Sequence, residues 1–190
     1  MVSVNMRWLL LALICSVVAG CGGMMNDLNP SGSDKQAAVE AGTLGYHVGQ
    51  IAPDFTLSDT LGTSVTLSSA LTETGVTGAV LYFTMWCPAC DVDMSSMRSS
   101  IIPAFPNVRF YAVDYECSTV ESARNSEMST GYDGSGFTVL ADTDKNVLKL
   151  YQGQIKGTMG ITVVIDKTGI IRMNEVYKND RLTTALTSLP

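Results

Sequence analysis

Histidine is all but missing: His47 is the only one among 190 residues. It lies outside the core pattern, which excludes a cysteine–histidine nucleophile pair and a histidine-rich metal centre. Charge is also sparse, at 16% of residues, and it leans acidic: 12 Lys and Arg face 18 Asp and Glu, for a net charge of -6. Without a basic stripe, nucleic acid and anionic membrane surfaces are poor partners for the folded chain. Long apolar runs are absent too. The longest, Trp8 to Val18, holds 11 residues and is too short for a comfortable membrane span. Cysteine numbers five, while 46% of residues are apolar. The chain can therefore bury one ordinary core without disulfide staples.

What is present centres on Phe83-Thr84-Met85-Trp86-Cys87-Pro88-Ala89-Cys90. It follows Ala79-Val80-Leu81-Tyr82-Phe83, a run that reads as a buried strand, and precedes a pattern in which Met94, Met97 and Ile101 recur at helix spacing. A cysteine at a strand-to-helix junction lies near unpaired N–H groups and the positive dipole end of the helix, which favours thiolate. Pro88 suits a first helical turn, where its missing N–H had no partner. Cys90, three residues on, can close a disulfide with Cys87 and reopen it. Asp91 follows Cys90, so the haem-attachment pattern C-x-x-C-H is absent. The chemistry suggested is thiol–disulfide exchange. Met94, Met97 and Met128 read as packing residues rather than metal ligands, and the sequence implies neither a metal nor another cofactor.

Arg7 is the only charge before the apolar run, which has the length of a signal-peptide core. It ends in Val18-Ala19-Gly20-Cys21, which resembles the lipobox of bacterial lipoproteins. That resemblance implies a signal peptide at 1–20, cleavage before Cys21, and membrane attachment through lipid on Cys21. Gly22 rather than Asp follows, which leans toward the outer membrane. From 21 to 48 the chain is rich in Gly, Ser, Asn and Asp and reads as a flexible tether spanning roughly 30 Å. After export Cys87, Cys90 and Cys117 remain where disulfides persist. Their number is odd, so one thiol is free or pairs transiently.

The domain is expected over 49–190. Two short strands, Ile51–Leu57 and Ser64–Leu67, flank a turn at Asp59–Gly62, and a helical turn follows at Ser68–Leu71. The strand at 79–84 and the helix from Pro88 to about Ser100 come next, with Pro103 and Pro106 breaking the helix. Val108–Asp114 reads as a strand, Thr119–Ser129 as a helix, Phe137–Leu140 as a strand and Lys145–Tyr151 as a helix. Ile161–Ile165 and Ile170–Val176 form a hairpin across Asp166-Lys167-Thr168-Gly169, and Arg181–Ser188 closes the chain. Strands alternating with helices and ending in a hairpin predict an α/β sandwich on a mixed sheet.

These elements resemble the thioredoxin-like thiol–disulfide oxidoreductases of the TlpA/ResA type, related to the redoxin and AhpC/TSA families. The resemblance covers about Val48 to Val176. It rests on Ala52-Pro53-Asp54-Phe55, Trp86-Cys87-Pro88-Ala89-Cys90, Phe137-Thr138-Val139-Leu140-Ala141-Asp142 and Val163-Val164-Ile165-Asp166-Lys167-Thr168-Gly169. It implies a three-layer thioredoxin-like sandwich with flanking helices and an N-terminal strand extension. It implies further that Cys87 attacks, that Cys90 resolves through a redox-active Cys87–Cys90 disulfide, and that the acid three residues after the second cysteine, here Asp93, can move the proton of Cys90. Trp86, Pro88, Gly160 and Ile161 are expected to border the substrate cleft. Two positions depart from the pattern. Gly160 stands where many relatives carry a cis-proline, and Leu81 stands where thioredoxins place a buried acid. Cys117, beyond the strand ending at Asp114, is either a free loop cysteine or an extra thiol near the pair.

The leading function is a tethered oxidoreductase exchanging disulfides with exported proteins and an unidentified redox partner. A peroxiredoxin-like antioxidant with Cys87 as peroxidatic thiol competes: Thr84 lies three before Cys87, but Val80 replaces the family's proline and no Arg is placed to polarise a peroxide. A copper-binding assembly factor of the same fold would add a His, and none follows His47. A scaffold with a structural Cys87–Cys90 disulfide is the non-enzymatic alternative.

Overall fold

The computed structural model describes residues 40–190 apart from 156 and 158. The expected signal peptide, the Cys21 expected to carry lipid, and most of the expected tether lie outside the described residues. The elements run β1 (Thr56–Asp59), β2 (Ser64–Thr66), α1 (Leu67–Leu71), β3 (Gly78–Thr84), α2 (Pro88–Ser96), a π-helical turn (Met97–Ile101), α3 (Ile102–Ala104), β4 (Val108–Asp114), α4 (Val120–Thr130), β5 (Thr138–Ala141), α5 (Asn146–Gln152), β6 (Ile161–Asp166), β7 (Ile171–Val176) and α6 (Asn179–Thr187).

The strands form one mixed sheet ordered β2-β1-β5-β4-β3-β6-β7. β3 is central and buried at every residue, as expected of a strand covered by layers on both faces. It pairs in parallel with β4, Leu81 opposite Tyr111, and antiparallel with β6, Leu81 opposite Val163. Because side chains alternate along a strand, Ala79, Leu81 and Phe83 enter one core cluster with Tyr111, Val163 and Tyr151. Val80 and Tyr82 enter the other, with Cys90, Met94, Met97 and Ile101. The helix carrying the cysteines is thus packed against the Tyr82 face of β3. The α/β sandwich and its mixed sheet are as expected.

Three boundaries differ from expectation. The first strand starts at Thr56 rather than Ile51, because Pro53 has no N–H to give a ladder. Ile51 instead makes isolated bridges to Leu44 and Ile170. Part of the stretch expected as tether is fastened to the domain: Gly42 N–H donates to Gly49 O, and Asn174 Nδ2 donates to Tyr46 O at 2.7 Å. Composition hid this attachment because it runs through backbone groups. The helix after the cysteines does not break at Pro103. The π turn shifts its register, keeps Met97 and Ile101 in the core, and puts Pro103 in the opening turn of α3, where a missing N–H costs nothing.

Candidate active site

β3 ends at Thr84, wholly buried, and the chain turns into α2 through Met85 and Trp86. Trp86 has φ 57, a left-handed conformation that bulky residues rarely hold without support. Two bonds supply it. Its backbone N–H donates to Thr84 Oγ1 at 3.0 Å, and its indole Nε1–H donates to Asp114 Oδ2 at 2.7 Å. Asp114, at the end of β4, also accepts the backbone N–H groups of Glu116 and Cys117. Burial still holds its carboxyl above the usual carboxylate range despite these donors.

The turn delivers Cys87 to the N-cap of α2, with Pro88 in the first turn. The Cys90 backbone N–H donates to Cys87 Sγ at 3.1 Å. A sulfur in that place receives an N–H and the helix dipole together, and both favour its anionic form. Cys87 and Cys90 are joined as a disulfide with Cα atoms 5.0 Å apart. The two sulfur-bearing residues are unequal in exposure. Cys87 is half-buried, between half-buried Trp86 and exposed Pro88, whereas Cys90 is 1% exposed. An incoming group therefore meets Cys87 first.

Asp93 lies one turn beyond Cys90 on α2, at the three-residue spacing that shares a helix face. Burial pushes its carboxyl above the usual range, and the hydroxyl of Tyr82, donating to Asp93 Oδ2 at 2.9 Å, pulls partly the other way. Leu81 is on the opposite face of β3, wholly buried beside Phe83 and Val163. Tyr82, on the same face as Val80, turns toward the cysteine helix.

Gly160 precedes β6 with φ 73, and no peptide bond among the described residues is cis. Its carbonyl accepts the N–H of Tyr177 at 2.8 Å. Ile161, expected at the cleft, has its side chain in the core cluster with Leu81 and is 2% exposed. Alternation along β6 turns it away from the cysteines, so only its backbone is left for a cleft role. Cys117 is a buried free thiol packed with Ala123 and Ala141, in a cluster apart from Cys87 and Cys90. Its S–H donates to Asp114 O at 3.2 Å, and burial, with the nearby Asp114 charge, pushes the thiol up to about 11. Cys117 is thus held as a thiol, and the loop-cysteine alternative fits it.

Sequence reasoning missed Asp114, Tyr82 and Tyr132. Tyr132 stacks at 6.0 Å from Trp86, and its hydroxyl donates to Asp91 Oδ1 at 2.8 Å. Trp86, Asp91, Met94, Thr130 and Tyr132 line a cavity of about 230 Å³ beside the cysteine turn. Alternation along β3 was a usable signal for Tyr82, since it differs in parity from Leu81 and Phe83. Nothing local marks the other two.

The sequence profile of the AhpC/TSA family matches residues 48–174. The chain belongs to the AhpC/TSA family. Solved structures agree on the fold. A candidate protein disulfide isomerase from Bacteroides thetaiotaomicron is 25% identical with a TM-score of 0.61, covering 77% of this chain and 91% of its own. A candidate thioredoxin from Neisseria meningitidis is 26% identical with a TM-score of 0.55, covering 72% and 90%. A secreted disulfide oxidoreductase from Mycobacterium tuberculosis is 22% identical with a TM-score of 0.51, covering 71% and 96%. No curated protein matches the sequence. This AhpC/TSA-family domain therefore has the thioredoxin-like fold of thiol–disulfide oxidoreductases and carries a disulfide-linked cysteine pair. No helix among its described residues is long and apolar enough to cross a membrane.

Proposed function

We propose that this AhpC/TSA-family protein is an exported, lipid-anchored thiol–disulfide oxidoreductase that exchanges disulfides with exported proteins. The observation that carries the reading is the unequal exposure of a disulfide-linked pair at a helix N-terminus: Cys87 reachable, Cys90 covered. In the reducing direction the Cys87 thiolate attacks a substrate disulfide. A Cys87–substrate bond forms, the substrate S–S bond breaks, and one substrate thiolate leaves. Cys90 then gives its proton to Asp93 and attacks Cys87 Sγ. The Cys87–Cys90 disulfide closes, and the second substrate sulfur leaves and takes up a proton. Two electrons pass from the pair to the substrate, and a redox partner restores them. Run backwards, the same steps oxidise a dithiol. The apolar run ahead of Cys21 and the Gly22 that follows it support an envelope location with lipid on Cys21, at the outer membrane in a two-membrane cell.

The test is Cys90→Ser, which leaves the mixed disulfide without its resolving thiol. Expressed in the envelope, this variant should accumulate covalent adducts with exported proteins that reductant releases, and Cys87→Ser,Cys90→Ser should accumulate none. Equal, negligible capture by both variants would contradict the reading. A peroxiredoxin-like activity is the second reading, favoured by the family match and by Thr84 three residues before Cys87. Val80 stands where the peroxiredoxin pattern has proline, and no Arg is placed to polarise a peroxide, so peroxide consumption is expected not to exceed that of Cys87→Ser.

A further inference from the structure

The bond between Tyr82 and Asp93 joins the central strand to the helix that carries the cysteines, and exchange chemistry alone does not require it. Tyr82 is wholly buried, held edge-on to Tyr177 at 6.2 Å, so its ring has one orientation and its hydroxyl one direction. That hydroxyl meets Asp93 Oδ2 at 2.9 Å. With Oδ2 engaged, Oδ1 is the oxygen left to a second partner. Gly160 closes over the same two groups. A Cβ placed there would lie 3.1 Å from Asp93 Oδ2 and 3.3 Å from Tyr82 Oη, tighter than ordinary contact with both. The residue standing over the pair is thus the one that adds no side chain to it.

We propose that Tyr82 is a positioning residue for Asp93: it fixes the carboxylate so that the free oxygen serves Cys90, and the bare backbone of Gly160 leaves the pair room. This rests on the reading above, in which Asp93 takes the Cys90 proton. The ionisable groups facing Asp93 are Tyr82 from β3 and Tyr177 from beyond β7, and Cys90 precedes it by three residues on α2; no cation among the described residues enters its balance. A hydroxyl donating to a carboxylate stabilises the charged form. Without it Asp93 holds its proton to higher pH and is a base over a narrower range.

The experiment measures resolution of a preformed Cys87–glutathione mixed disulfide against pH in the purified full-length protein. In the unaltered protein the rate falls on the acid side as Asp93 becomes protonated. In Tyr82→Phe that acid limb is expected to move to higher pH, with the rate on the limb down about fivefold and the rate at high pH unchanged. Attack by Cys87 on oxidised glutathione should not change. Incorporating 3-fluorotyrosine at position 82, a stronger donor of nearly the same shape, should move the limb to lower pH. This second probe keeps the test decisive if loss of the hydroxyl disturbs folding. An acid limb unmoved by both changes, while Asp93→Asn still slows resolution, overturns the positioning role and leaves the role of Asp93 standing. A rate and pH profile unchanged by Asp93→Asn overturns both.

Discussion

Cys87→Ser is expected to lower the rate of thiol–disulfide exchange by at least about a thousandfold, to the level of the uncatalysed reaction. The reason is geometric as well as chemical. Cys90 cannot substitute, because it is 1% exposed and sits beneath the turn that presents Cys87. Cys117 cannot substitute either: its S–H is engaged with Asp114 O, and burial keeps it protonated at neutral pH. A hydroxyl at 87 can still accept the Cys90 N–H, so the variant should keep its fold and unfold at nearly the same denaturant concentration as the reduced protein. Exchange is measured as reduction of a protein disulfide under excess dithiol. Retention of more than a few per cent of the rate would mean that another thiol performs the chemistry.

The second large effect concerns the residue where the family resemblance expects proline. Gly160→Pro is expected to destabilise the domain by about 3 kcal/mol rather than improve it, lowering the melting temperature by roughly 6–12 °C. Gly160 is held at φ 73, whereas a proline ring fixes φ near -65°, so the substitution requires the backbone to turn over. That turn would displace the carbonyl that accepts the Tyr177 N–H at the start of the β6–β7 pair. The added ring would also press on Asp93 Oδ2 and Tyr82 Oη, the groups nearest to a Cβ there. Thermal unfolding of the oxidised protein checks this. A melting temperature equal to or above that of the unaltered protein would show that the loop accepts the family's proline geometry.

The parts of this molecule legible in sequence are those whose cause is local. β3 announces itself through an unbroken apolar run because layers cover both of its faces. The cysteine turn is visible because Trp, Pro and the two sulfurs lie within five consecutive residues. The hairpin after β6 is visible because Asp166 caps its own turn, accepting the N–H groups of Thr168 and Ile170. What stayed hidden depends on residues far apart in the chain. Asp114 holds Trp86 across 28 positions, Tyr132 reaches Asp91 across 41, and Asn174 fastens Tyr46 across 128. No window of sequence contains both members of those pairs. Leu81, at the position of the thioredoxin acid, is an apolar core residue here, and the polar β3 group that meets Asp93 is its neighbour Tyr82, a pairing that again joins distant elements.

The central claim is that the Cys87–Cys90 disulfide is a working redox couple rather than a staple. Its reduction potential, measured against glutathione or thioredoxin together with the rate of equilibration, tests that claim most directly. The reachable, half-buried Cys87 sulfur at a helix N-terminus predicts fast exchange and a potential at or above about -270 mV. A potential below about -300 mV with slow exchange would mark a structural disulfide and contradict the account.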